Sequence, residues 1–276
     1  MAITIAAIRG VSSGIRATRD VSEARAVAAP ARLEWRVAHV VSVRDETPHA
    51  RTLVLDVPQW PGHRAGQHVD VRLVAEDGYQ AQRSYSIASA PESPNVELTV
   101  ERLDDGEVSP YLCDVLQPGD GLEVRGPIGG YFVWEIAHGG PLLLVAGGSG
   151  IVPLMAMLRH HAAAPREISA RTAVRLLYSA RTADDIIYAN ELGRLAEARE
   201  VDVQYTLTRT APADWTGHRR RIDRPLLEHV AWPAAEGARA FVCGPTPLVE
   251  HVATLLVELG YDPLQVRTER FGPTGP

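Results

Sequence analysis

The chain has 276 residues, 45% apolar and 22% charged, with a net charge of −6. That length and composition fit a globular protein of about two domains, and the lack of a basic excess excludes nucleic acid or an anionic membrane as its main partner. Two cysteines, Cys113 and Cys243, are too few for a four-thiolate iron–sulfur cluster or a disulfide framework. No metal site is expected, and they read as reduced thiols in a cytoplasmic protein.

Residues 1–31 are rich in Ala, Ser and Arg and poor in acids. They read as a disordered or loosely docked arm in preference to an organelle-targeting segment. No run of eighteen apolar residues follows, so no membrane span is expected. From Arg32 onward the signals are of strands: Leu33–Val43, Arg51–Val57, His68–Val74 and Val96–Arg102 all carry apolar residues in alternation. Turn-forming clusters such as Asp77-Gly78 and Asp104-Asp105-Gly106 separate them, as in an antiparallel barrel. A short helix is expected near Ser109, with Ser109 as its cap and Pro110 in its first position.

After Gly140 the period changes. Leu142–Ala146 is continuously apolar, as in a strand buried on both faces. A helix over 153–161, a strand over 173–178, a helix over 187–198 and a strand over 202–208 follow. Leu226–Val230 reads as a short helix, Ala240–Cys243 as a strand, Pro247–Leu259 as a helix and Val266–Phe271 as a last strand. This alternation predicts a parallel sheet with helices on both faces. The boundary falls near His138-Gly139, giving residues 32–138 to the barrel and 139–276 to the α/β domain.

Five short motifs carry chemistry. Arg83-Ser84-Tyr85-Ser86 offers a cation for a diphosphate, an aromatic for a flat ring and a hydroxyl for the ring edge. Gly106-Glu107-Val108-Ser109 opens the short helix, where backbone N–H groups suit phosphate. Gly126-Pro127-Ile128-Gly129-Gly130-Tyr131-Phe132 reads as a turn before a strand. Gly147-Gly148-Ser149-Gly150-Ile151-Val152-Pro153 links a buried strand to a helix and lets a diphosphate approach the helix start. Phe241-Val242-Cys243-Gly244-Pro245 closes a strand at the end where ligands of open α/β sheets sit. Singly, each is also an ordinary turn or strand end.

Taken together and in this sequence order, the five motifs resemble the ferredoxin–NADP reductase superfamily over about Trp35 to Phe271. The resemblance implies a six-stranded antiparallel Greek-key flavin barrel followed by a five-stranded parallel nicotinamide-binding α/β domain. It implies FAD held by Arg83, Ser84, Tyr85 and Ser86, with Thr99, Val100 and Glu101 along its adenosine part and Glu107, Val108 and Ser109 at its diphosphate. It places Gly148, Ser149, Gly150, Gly244 and Pro245 at the nicotinamide nucleotide. Ser86, Cys243 and Glu269 are the implied catalytic residues, and Phe271 stands near the other flavin face, although Gly272–Pro276 follow it where plant-type members end on an aromatic. Ser179 and Arg181, with Thr208 and Arg209 and the run Arg219–Arg221 beyond, favour NADPH over NADH as the hydride donor. The implied activity is an NAD(P)H-dependent flavoprotein reductase that passes single electrons to a separate redox protein: a ferredoxin, a haem or molybdenum enzyme, or an oxygenase. The alternatives are a ferric-chelate or free-flavin reductase using a basic cluster at His63, Arg64 and His68, and a non-catalytic flavin-binding regulatory subunit.

Overall fold

A computed structural model describes residues 33–75 and 77–272. The expectation of an N-terminal arm over 1–31 lies outside the described residues. Eleven strands form two sheets among them.

The first sheet is antiparallel and has six strands: β1 (Trp35–Thr47), β2 (Ala50–Asp56), β3 (His68–Val74), β4 (Gln80–Ser86), β5 (Val96–Glu101) and β6 (Gly121–Ile128). Their order is β4-β3-β6-β1-β2-β5. A bridge between Ile87 and Leu98 brings the two edge strands together and closes the barrel. Alternation fills its interior: Leu53 and Leu98 lie opposite one another on β2 and β5 and are both fully buried, among Leu55, Val69, Val71, Leu122 and Val124.

Two strands differ from the sequence expectation. Gln80–Ser86 is itself a strand, concealed by its polar run Gln-Ala-Gln-Arg-Ser, because it pairs only with β3 and its outer side is exposed. The Gly126–Phe132 turn follows a strand, β6, instead of preceding one. The short helical segment begins at Ser109 and Pro110 as expected and runs on through 111–115, but the Ser109 hydroxyl accepts from the Leu103 backbone N–H at 3.0 Å instead of capping it.

The second sheet is parallel: β7 (Leu142–Gly147), β8 (Val174–Ala180), β9 (Asp202–Leu207), β10 (Arg239–Pro245) and β11 (Val266–Phe271), in the order β11-β10-β7-β8-β9. The helices are α1 (Ile151–Ala163), the single turn α2 (Arg166–Ser169), α3 (Ala189–Glu197), α4 (Arg224–Val230) and α5 (Thr246–Glu258). Strand alternation assigns each face its helices. Leu142, Leu144 and Ala146 pack with α1 and Leu192 of α3, whereas Leu143 and Val145 pack with α4 and α5. The α1 face also buries Ala50, Ala65, Ala88, Phe132 and Trp134 from the barrel side, so one apolar core spans both sheets.

Candidate functional site

The chain winds from β7 outward through β8 and β9, then returns to the other side of β7 with β10 and β11. The reversal lies between β7 and β10, and ligands of open α/β sheets bind at such a point, beyond the strands' carboxyl ends. The Gly147–Gly150 turn leaves β7 there and passes directly into α1. Gly150 is needed at this spot because a Cβ would lie 2.2 Å from the Cys243 carbonyl oxygen on β10. Gly148 adopts φ +54°, and a Cβ on it would lie 3.9 Å from the Glu101 carboxylate of β5.

Three residues far apart in sequence converge beside this turn. Cys243 and Glu269 are paired across β10 and β11, and the Ser86 hydroxyl at the end of β4 donates to the Glu269 carboxylate at 3.2 Å. Burial pushes the Glu269 carboxyl up to about 7, against the pull of the Ser86 hydrogen bond. Burial, reinforced by Glu269, also pushes the Cys243 thiol up. A carboxyl poised near neutrality beside a hydroxyl and a neutral thiol can hold or hand on a proton without placing fixed charge next to a hydride donor. Phe271 ends β11 opposite Pro245 and packs partly on the α1-side core.

Along β4, Arg83 reaches out and donates to Glu107 at 3.0 Å, and Tyr79 donates to the same carboxylate at 2.8 Å. The Arg83 and Glu107 side chains are about half exposed. An anion arriving here meets the guanidinium and the backbone of the Glu107–Ser109 segment, while the Glu107 carboxylate must give up its hold on Arg83. Val108 is buried in the barrel core, which leaves only its backbone for a ligand. Tyr85 packs partly on the barrel core, and burial pushes its phenol up to about 12. The Ser84 hydroxyl is committed to Asp70 at 2.7 Å, whose other oxygen takes Arg125 at 2.7 Å. On β5, Val100 faces the barrel core, whereas Thr99 faces the other way and its hydroxyl meets those of Thr52 and Tyr188. A flavin dinucleotide fits this donor set: a displaceable cation and a helix-opening backbone for its diphosphate, an aromatic strand for its ring and a polar pair at the ring's edge.

At the other end of the sheet, Arg181 follows β8 and Arg209 follows β9, locked side by side by the Arg209 N–H donating to the Arg181 carbonyl at 2.9 Å. Both are exposed, and among the described residues no side-chain hydrogen bond or ion pair engages either guanidinium. Thr208 donates to the Ala180 carbonyl at 3.2 Å, and Ser179 is nearly buried below. The run Arg219–Arg221 contributes less than its sequence suggested. Arg219 braces the carbonyls of Pro212, Ala213 and Trp215, and Arg220 pairs with Asp223 at 3.4 Å.

Of the His63, Arg64 and His68 cluster, His63 and Arg64 are already engaged in structure. Trp60 donates to His63 Nδ1 at 3.3 Å, so His63 Nε2 carries the hydrogen and donates to the Ser89 carbonyl at 3.0 Å. Burial lowers the pKa of both His63 and His68, and Arg64 pairs with Glu135 at 3.6 Å. Two clefts of about 440 and 500 Å³ lie elsewhere, against Arg102 and Asp114 and against Arg159 and Glu191. Sequence reasoning missed both Tyr79 and the pairing of Thr99 with Tyr188, since neither belongs to a motif. Among the described residues, no helix is long and apolar enough to cross a membrane.

Comparison with known proteins agrees with this geometry. Residues 38–133 match the oxidoreductase FAD-binding domain family and residues 144–254 the oxidoreductase NAD-binding domain family. A ferredoxin–NADP reductase B from Sorangium cellulosum is 35% identical over 85% of this chain and 96% of its own. A glycine betaine monooxygenase reductase subunit from Pseudomonas aeruginosa is 34% identical over 86% of this chain, which spans only 64% of that relative's length. The solved structure of an Amycolatopsis cytochrome P450 reductase superposes with a TM-score of 0.73 at 27% identity, covering 87% of this chain and 71% of its own. The chain belongs to the ferredoxin–NADP reductase superfamily of flavoprotein reductases, with an FAD-binding barrel and an NAD(P)-binding α/β domain.

Proposed function

We propose that the protein oxidises NADPH and delivers the electrons singly to a separate acceptor protein, an oxygenase component, ferredoxin or haem protein. The carrying observation is the meeting of Ser86, Glu269 and Cys243 between the flavin-side strand β4 and the nicotinamide-side strands β10 and β11. FAD, when bound, supplies the chemistry that turns a two-electron hydride into single electrons. The chain's own part is positional and electrostatic. Arg83 and the 107–109 backbone hold the diphosphate, Tyr85 supports the ring, and Ser86 and Glu269 keep a proton at its edge. The Gly148–Gly150 turn and Gly244-Pro245 receive the nicotinamide nucleotide, and the buried Cys243 keeps water from it.

NADPH is preferred to NADH because Arg181 and Arg209, unpaired among the described residues, follow β8 and β9 at the carboxyl ends of the sheet, and positive charge there would favour a 2′-phosphate. A protein acceptor is preferred to an iron chelate because His63 and Arg64 of the candidate basic cluster are engaged by internal partners and burial disfavours the charged form of His63 and His68. Relatives named as reductase components of oxygenase systems, including the ferredoxin reductase component of a 3-ketosteroid-9-alpha-monooxygenase from Rhodococcus rhodochrous, support the same reading. Stopped-flow mixing of the FAD-loaded protein with NADPH is expected to bleach the flavin faster than NADH does. A yellow protein that neither nucleotide bleaches would sink the proposal and favour a regulatory flavin-binding subunit.

A further inference from the structure

Arg159 stands near the end of α1, the helix that begins at the nicotinamide-side turn, and its side chain is 15% exposed. Nε and Nη2 donate to the two oxygens of Glu191 on α3 at 2.9 and 2.7 Å. Nη1 donates across the seam to Glu97 of β5 and to the Ala88 carbonyl, both at 2.9 Å. Burial alone would lower the guanidinium's pKa, but Glu191, Tyr188 and Glu97 together outweigh it and raise the pKa.

A second bond crosses at the same place. The Tyr188 ring lies 5.2 Å from the guanidinium, and its backbone is left-handed at φ 62°, ψ 25°. Such strain in a bulky residue persists only where the surroundings hold it. Here they do so through a one-way chain of hydroxyls. Thr52 donates to the Glu46 carboxylate at 2.7 Å, so Thr99 must donate to Thr52, and Tyr188 must donate to Thr99.

The Arg159–Glu97 bond joins the far ends of the two elements whose near ends flank the site. Glu97 lies about 13 Å along β5 from Glu101, and Arg159 lies about 12 Å along α1 from Ile151. Glu101 and the Gly148 turn approach each other at the near ends. Strand and helix are stiff over this length, so the spacing fixed at Arg159 sets the spacing at the turn.

We infer that Arg159 is a positioning residue for hydride transfer, fixing α1 against β5 so that the nicotinamide turn keeps its distance from Ser86 and Glu269. The inference rests on the proposed function. Wild-type bleaching by NADPH tests that function first, and its failure would end both. With the wild type bleached, FAD-loaded Arg159→Gln is expected to lose about 10- to 100-fold in the limiting flavin-reduction rate, as misplacement by an ångström does. The long-wavelength charge-transfer absorbance of the nicotinamide–flavin pair should weaken, while FAD affinity stays within about twofold because Arg159 contacts none of the residues proposed to hold FAD. Arg159→Lys, which keeps the charge but not the fork, should fall between the two. Tyr188→Phe should lower the rate less while weakening the same absorbance, and it decides the matter if Arg159→Gln does not fold. A lowered melting temperature with an unchanged limiting rate and absorbance would make Arg159 a structural residue only and overturn the inference.

Discussion

Glu269 is an acid at the end of an edge strand, and nothing in its neighbours Thr268 and Arg270 signals an unusual proton affinity. Its pKa near 7 comes from burial against β4 and β10. A carboxyl raised from 4.5 to about 7 on folding binds its proton more tightly in the native state. Its contribution to stability is therefore complete below the unfolded value and falls as pH rises through that interval. Glu269→Gln is expected to flatten this descent in thermal denaturation of the nucleotide-free protein. It should also slow flavin reduction about 10- to 100-fold, the lower range for loss of a proton-handling group. An unchanged pH slope would assign the descent to other groups. Arg83→Ala removes the cation that pairs with Glu107 beside the 107–109 backbone. It is expected to weaken FAD binding roughly 10- to 100-fold, equivalent to about 1.5–3 kcal/mol for a hydrogen bond to a charged group, as read by flavin fluorescence.

The elements explain why some motifs were readable and others hidden. The Gly147–Gly150 turn was legible because a continuous apolar run before it and an apolar-periodic helix after it leave one place for the chain to reverse. Its tolerance was not legible, because the Cys243 carbonyl that crowds Gly150 comes from a strand nearly a hundred residues later. Gly150→Ala is expected to destabilise the protein by about 1–3 kcal/mol through overpacking, and to raise the NADPH half-saturation concentration. A melting curve superimposable on wild type would contradict the close approach of α1 to β10. Strand β4 was read only as a motif, since an edge strand exposed on its outer side has no apolar alternation to display. Leu53, by contrast, sits in a plainly alternating run. Truncation of its fully buried side chain to Ala should cost about 2–5 kcal/mol in denaturant unfolding.

The meeting of the two sheets builds the proposed active corner, and the parallel sheet by itself assembles the proposed 2′-phosphate contact. Arg181 and Arg209 belong to different loops and become neighbours only because β8 and β9 run parallel and in register, Ala180 opposite Leu207. The double change Arg181→Ala, Arg209→Ala is expected to raise the half-saturation concentration for NADPH at least about tenfold, the loss of one charge-assisted contact or more, while leaving NADH nearly unchanged. Equal losses with both nucleotides would remove these residues from the 2′-phosphate. The amino-acid order alone was enough for the two architectures, for most strand and helix positions and for the five motifs, because periodicity and turn chemistry are local properties. It was silent on the Ser86–Glu269 bond, the commitment of Ser84 to Asp70, the occupation of Arg219 and Arg220, and the Arg159 seam. Each of those joins side chains from separate elements, and which groups meet is settled by register and packing across two sheets, at distances along the chain where local patterns carry no information.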